Sequence, residues 1–172
     1  MCFNVFRPQD LAPWWRLGDR GRKGVCMEEV DTLGQKEVGE ANRRRGAWGE
    51  SMAARYLRAR GWRIVARNVR PCRSDRRCEI DIIARTPEGG VVFVEVKTHL
   101  RRSTWAGRLT RIDARKKRNL LRACANWVMR HKWHGNFRFD VVQVYGAENG
   151  PSAPEIDHVE NVRMFPPKWR FW

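Results

Sequence analysis

No apolar run in this chain of 172 residues approaches the roughly 20 residues that a membrane-spanning helix needs. Residues 1–26 also lack the continuous apolar core of a secretion signal, so the expected location is the cytoplasm, with no membrane partner. The five cysteines are an odd number, which argues for a reducing compartment rather than a disulfide framework. Their spacing does not suit zinc either. Cys72 and Cys78 bracket five residues, and Cys124, His131 and His134 fall on or after a helix. No internal repeat is found. Acidic residues are scarce, 19 against 35 Lys and Arg, and the net charge of +16 points to a polyanionic partner.

The basic excess comes in two blocks. Residues 41–77 hold twelve Lys and Arg against two acids, and residues 101–132 hold eleven against one. Between them, residues 78–100 hold two basic residues against four acidic ones. Two basic blocks around an acidic centre suit a groove for nucleic acid with a cation-binding floor. A solvated basic surface is the plainer reading of the same charges.

That acidic centre reads as two strands and a turn. Cys78–Arg85 and Val91–His99 are rich in Val and Ile, and Thr86-Pro87-Glu88-Gly89-Gly90 breaks them. Strand alternation puts Ile80, Ile82 and Ala84 on one face of the first strand and Glu79, Asp81 and Ile83 on the other. In the second, Val92, Val94 and Val96 oppose Val91, Phe93, Glu95 and Lys97. A plausible register then brings Asp81, Glu95 and Lys97 onto one surface. Burying charge costs several kcal/mol per ion unless it is compensated, and two acids against one lysine leave a negative charge over. A cation is the missing partner.

Asp with Glu-x-Lys is a known arrangement for phosphodiester hydrolysis. Two carboxylates and the carbonyl of the intervening Val96 can hold Mg²⁺ or Mn²⁺. The metal activates a water, and the lysine positions it and stabilises developing charge. The competing reading is an ordinary exposed strand face with a Glu–Lys pair.

Around the hairpin, residues 1–45 lack sustained periodicity and read as a poorly ordered extension. A helix is expected over Ala47–Arg60, stopped by Gly61, with Trp48, Met52, Ala53, Tyr56 and Leu57 inward. Glu50 shares a stripe with Ala53, Ala54 and Leu57, as a first-turn acid favoured by the helix dipole or as a site residue facing a sheet. Trp62–Arg70 reads as a strand with Trp62, Ile64 and Ala66 opposite Arg63, Val65 and Arg67, and residues 71–77 as a basic loop. The loop Leu100–Thr110, with Arg111 close behind, carries Arg101, Arg102, Trp105 and Arg108, residue types that contact phosphates and bases. A second helix over Asp113–His131 buries Leu120, Ala123, Cys124, Trp127 and Val128, and its first half is basic. Strands follow at Phe137–Tyr145 and, at an edge, Ile156–Val162. Residues 46–165 form the expected domain and 166–172 a peripheral tail.

In this order, Gly49-Glu50, Tyr56-Leu57, Gly61-Trp62, Arg67-Asn68, Cys78 to Ile83, Val92 to Lys97, Gly107, Lys116, Leu120, Arg138 to Val142 and Ile156-x-His158-Val159-x-Asn161 resemble the YraN-like family over about residues 45–165. That family is grouped with restriction-endonuclease-like PD-(D/E)xK nucleases and is similar in core to archaeal Holliday junction resolvases. The resemblance implies an α/β fold with an αβββαβ core, a central mixed sheet flanked by helices. It implies Glu50, Asp81 and Glu95 as metal-site acids, Lys97 as the catalytic lysine, Glu79 as a supporting acid and Lys116 as a phosphate contact. Cys78 stands where the family usually has glycine, and His99 where arginine is common. The expected activity is a Mg²⁺- or Mn²⁺-dependent DNA endonuclease, with branched DNA as one candidate substrate, and a homodimer is compatible with it. The alternative is a DNA- or RNA-binding protein that keeps the nuclease fold without turnover.

Overall fold

The structure is a computed structural model, and it describes residues 32–72, 75, 77–102 and 112–165. Its elements are α1 (Thr32–Ala59), β1 (Arg63–Val69), β2 (Ile80–Arg85), β3 (Val91–His99), α2 (Ala114–Arg130), β4 (Phe137–Tyr145) and β5 (Glu155–Val159). The strands form one sheet in the order β1-β2-β3-β4-β5. β1, β2 and β3 pair antiparallel, β3 and β4 parallel, and β5 is an antiparallel edge. Two strands that run side by side in parallel need a long crossover, and α2 is that crossover. The result is an α/β fold with a mixed five-stranded sheet flanked by two helices, consistent with a restriction-endonuclease-like core.

The sheet is buried on both faces. Ala53, Ala54 and Leu57 of α1 pack with Ile82, Ala84, Val92, Val94, Val142 and Val144. Leu120, Ala123, Cys124, Trp127 and Val128 of α2 pack with Ile83, Phe93, Phe139 and Val141 on the other face. Both helical stripes are the expected ones, and Trp127 and Cys124 are core residues. Phe93 is fully buried and meets the Trp127 ring edge-on at 5.5 Å.

Helix α1 ends where Gly61 predicts, in a left-handed turn with φ of 80°. Gly61 N–H donates to Arg58 O at 2.9 Å and Trp62 N–H to Leu57 O at 3.0 Å, the paired bonds of a Schellman cap. Its start lies well before Ala47, at Thr32. Lys36–Arg45 is mostly exposed, so it has no partner face and no apolar period to read. Extending an existing helix avoids the cost of nucleation, which lets such a stretch stay helical.

Alternation fails in two places. A bulge at Val65 shifts the β1–β2 register, so that Ile64 pairs with Ala84 but Arg67 pairs with Ile82. Arg67 therefore faces α1 with Ile82, instead of lying opposite Ile64. One step on, Asn68 has φ of 51°, a conformation asparagine tolerates better than most residues. On β2, Ile80, the partner of Val69, joins the core under α2 while Ile82 lies under α1. The expectation that Ile80, Ile82 and Ala84 share one face is corrected by this twist.

Candidate active site

The ladder between β2 and β3 stops at Ile82↔Val94. Beyond it the strands part, and the Asp81 side chain takes over from the backbone: its Oδ2 accepts the Val96 N–H at 2.7 Å. What the structure records for Val96 is thus its amide, held by Asp81. Glu95, one residue before, is buried to 1 % exposure. Lys97 follows two residues later on the same face by strand alternation, half-buried, so Glu95 lies near both Asp81 and Lys97, each of which feels its charge.

The cation that charge counting asks for is present as a side chain. Lys116, in the first turn of α2, places its ammonium Nζ on Glu95 Oε1. Asp113 caps that turn by accepting the Lys116 N–H at 2.8 Å. The expectation for Lys116 was a phosphate contact; here it pairs with a site carboxylate. One ammonium does not satisfy the cluster, because Glu95 Oε2 is buried with no hydrogen-bond partner. Burial, followed by the Glu95 charge, pushes the Asp81 carboxyl up to about 7. Burial, with the Lys116 charge adding to it, lowers Lys97 against the pull of Glu95. Burial also disfavours the Lys116 charge, but Glu95 outweighs it and raises the group overall.

Glu50 comes from the opposite layer. It is carried to the sheet because Gly49 lets α1 come close to β3: a Cβ at Gly49 would lie 1.9 Å from Thr98 Oγ1. The Glu50 charge contributes to the raised Asp81 pKa, while its Oε2 is turned to Arg67 Nη2 at 3.3 Å. Glu79 is held by Arg70 through two bonds of 3.1 and 2.9 Å. Among the described residues no group of three or more His, Cys, Asp or Glu side chains is placed to hold a metal ion. The structure therefore pairs Asp81 with Glu95 and leaves Glu50 on a separate arginine.

A cleft of about 400 Å³ opens beside the acids, lined by Arg77, Glu79, Asp81, Asp113, Arg115, Lys116, Asn119 and Leu120. Of the loop residues expected to meet nucleic acid, Arg101 is exposed. Arg102 is engaged within the fold: it pairs with Asp157, reaches Glu155 at 3.8 Å and covers the Tyr145 ring at 5.5 Å. Trp105, Arg108 and Arg111 lie outside the described residues.

Sequence reasoning did not single out Asp140, which is fully buried. It accepts from Arg138 Nε at 3.1 Å and from the Asn161 N–H at 2.9 Å, and its Oδ2 lies 2.9 Å from His158 Nε2. The Arg138-x-Asp140 and His158-x-x-Asn161 patterns were visible, but their link needs the β4–β5 pairing. Asp75, likewise missed, gathers Arg77 at 2.9 Å and Arg122 at 3.0 Å.

Comparison with known proteins agrees with this architecture. The family described as "Uncharacterised protein family UPF0102" matches residues 49–144, from the glycine under Thr98 to the penultimate residue of β4. A UPF0102 protein of Trichlorobacter lovleyi is 36% identical over 125 residues, 72% of this chain and 93% of that protein. One of Pelobacter propionicus is 37% identical over 122 residues, 70% of this chain and 82% of its own length. Another, of Corynebacterium efficiens, is 38% identical over 118 residues, 68% of this chain and 89% of its own. The matched stretch contains Glu50, Asp81, Glu95, Lys97 and Lys116, and the chain belongs to the UPF0102, or YraN-like, family.

Proposed function

We propose that this protein is a divalent-metal-dependent endonuclease of the PD-(D/E)xK class, similar to archaeal Holliday junction resolvases, that hydrolyses phosphodiester bonds in DNA. Branched DNA is the substrate to try first. The observation that carries this reading is the buried Glu95 beside Asp81 at the point where β2 and β3 part, with Lys97 next on the same face. Such a pair is poorly compensated by protein alone: one Glu95 oxygen has no partner, and Asp81 is held well above the ordinary carboxylate range. Both features suit a divalent cation, since Mg²⁺ is commonly held by one or two carboxylates with the rest of its shell from water and substrate.

Asp81, Glu95 and the Val96 carbonyl would hold Mg²⁺ or Mn²⁺, and Glu50 would complete the set on leaving Arg67. A bound metal of this kind polarises a phosphoryl oxygen and lowers the pKa of a water. Lys97 would orient the attacking water and face the negative charge that develops on phosphorus. Arg115 at the cleft, with the exposed Arg101, would hold the sugar–phosphate backbone.

A second reading has its own observation in favour. Glu50 and Glu95 are each tied to a basic side chain, which is what a DNA- or RNA-binding protein with a retired site would keep. The two readings separate on one pair of assays with wild type and Asp81→Ala. A nuclease loses cleavage in the variant and keeps salt-sensitive binding. A pure binder shows the same binding and no metal-dependent cleavage in either protein.

A further inference from the structure

Glu95 and Lys116 differ sharply in their freedom to move. Glu95 sits in the centre of the sheet, its side chain 1% exposed, and the backbone ladder with β4 fixes it through Glu95↔Val141. Lys116 has its backbone N–H held by the Asp113 cap, while its side chain, 48% exposed, reaches Glu95 on a flexible four-carbon stem. The carboxylate cannot leave; the ammonium can. Lys116 also lines the same cleft as Asp81, beside Arg77 and Arg115, so an ammonium that left Glu95 would remain at the cleft.

The charges make its present place a compromise. Lys116 answers the Glu95 Oε1 atom and leaves Oε2 without a partner, with the Asp81 carboxylate close enough for its charge to be felt at Lys116. A point ammonium serves one oxygen well, whereas a divalent cation can serve two carboxylates at once. We propose that Lys116 is a tethered cation that neutralises Glu95 while the site is empty, is displaced by the divalent metal, and then delivers its charge to a substrate phosphate. This rests on the metal-site reading above. Its consequence is coupling: metal binding and phosphate binding strengthen one another through a single side chain, and by linkage the effect is reciprocal.

Two titrations test it. In the first, MnCl₂ is titrated calorimetrically into wild type, Lys116→Gln and Glu95→Gln, with Lys116→Met in reserve if the glutamine variant does not fold. Removal of the competing ammonium should tighten Mn²⁺ binding at least fivefold, and Glu95→Gln should abolish it. Equal or weaker binding by Lys116→Gln, with Glu95→Gln still unable to bind Mn²⁺, would overturn the tethered-cation role and leave the metal site standing. No Glu95-dependent Mn²⁺ binding in any protein would overturn both. The second separates displacement from simple repulsion, through the salt dependence of binding to duplex DNA with CaCl₂ or with EDTA. Ca²⁺ should add about one phosphate contact to the slope for wild type and none for Lys116→Gln. Glu95→Gln should show the extra contact in EDTA already. A wild-type slope indifferent to Ca²⁺ would overturn the hand-over.

Discussion

Asp81 sits in an environment at odds with its chemistry. Its carboxyl is raised to about 7 from 3.8, by burial first and the Glu95 charge second. A raised pKa means that the folded state binds the proton more tightly than the unfolded state does. The resulting stabilisation is present in full below about pH 4 and disappears as the pH climbs through about 7. Wild type should therefore lose stability relative to Asp81→Asn between pH 4 and 8, on the order of a few kcal/mol. Urea denaturation midpoints of the two metal-free proteins across that range check this; a constant difference would refute the burial of a strained acid. Gly49 makes a steric counterpart. Its missing Cβ is what admits Thr98, so Gly49→Ala should destabilise by about 1–3 kcal/mol, the usual range for overpacking. Thr98→Ala in the same chain should recover part of the loss, read as a coupling energy in a double-mutant cycle.

Within the elements, local chemistry was legible wherever it repeats along the chain. The α2 stripe and all of β4 followed from periodicity, and β3 followed from its Val- and Phe-rich sequence with a Pro/Gly turn before it. What periodicity cannot carry is a change of phase. The bulge at Val65 and the left-handed Asn68 each break the two-residue repeat, and together they send Arg67 to Glu50 and Ile80 to the far core. Neither break leaves a clear mark in composition. The cap of α2 is a further case, because it repeats the Schellman pattern of α1 with a lysine in place of glycine. Lys132 has φ of 48°, and Trp133 N–H reaches Val128 O at 3.0 Å. An L-residue is strained there and glycine is not, so Lys132→Gly should stabilise the fold by about 0.5–1 kcal/mol, measured as a rise in urea midpoint.

For the whole molecule, the long-range charges are what the sequence left unassigned. Charge blocks could be counted, and they pointed to a polyanion, but pairing decided which charges remain available. Arg102 is occupied by Asp157 and Glu155, and Arg67 by Glu50, whereas Arg101 is exposed. Asp140 takes Arg138, His158 and the Asn161 amide from two strands and the segment after β5. Removing a buried charged group leaves its partners uncompensated, so Asp140→Ala should cost about 3–5 kcal/mol and show first as loss of protection in β5 by hydrogen exchange. The acid pair itself was legible because two strands and one turn bring it together. Lys116 as its counter-ion was not, since that contact crosses from the sheet to α2.

The central claim is that Asp81 and Glu95 form a metal-dependent nuclease centre. Its most direct test is nicking of linear, forked and four-way-junction DNA by identically purified wild type and Asp81→Ala, with Mg²⁺ or Mn²⁺ and with EDTA as control. Cleavage by wild type with metal, lost in EDTA and at least a hundredfold weaker in the variant, is the predicted result. Equal traces in both proteins, or no cleavage of any substrate beside tight salt-sensitive binding, would contradict it.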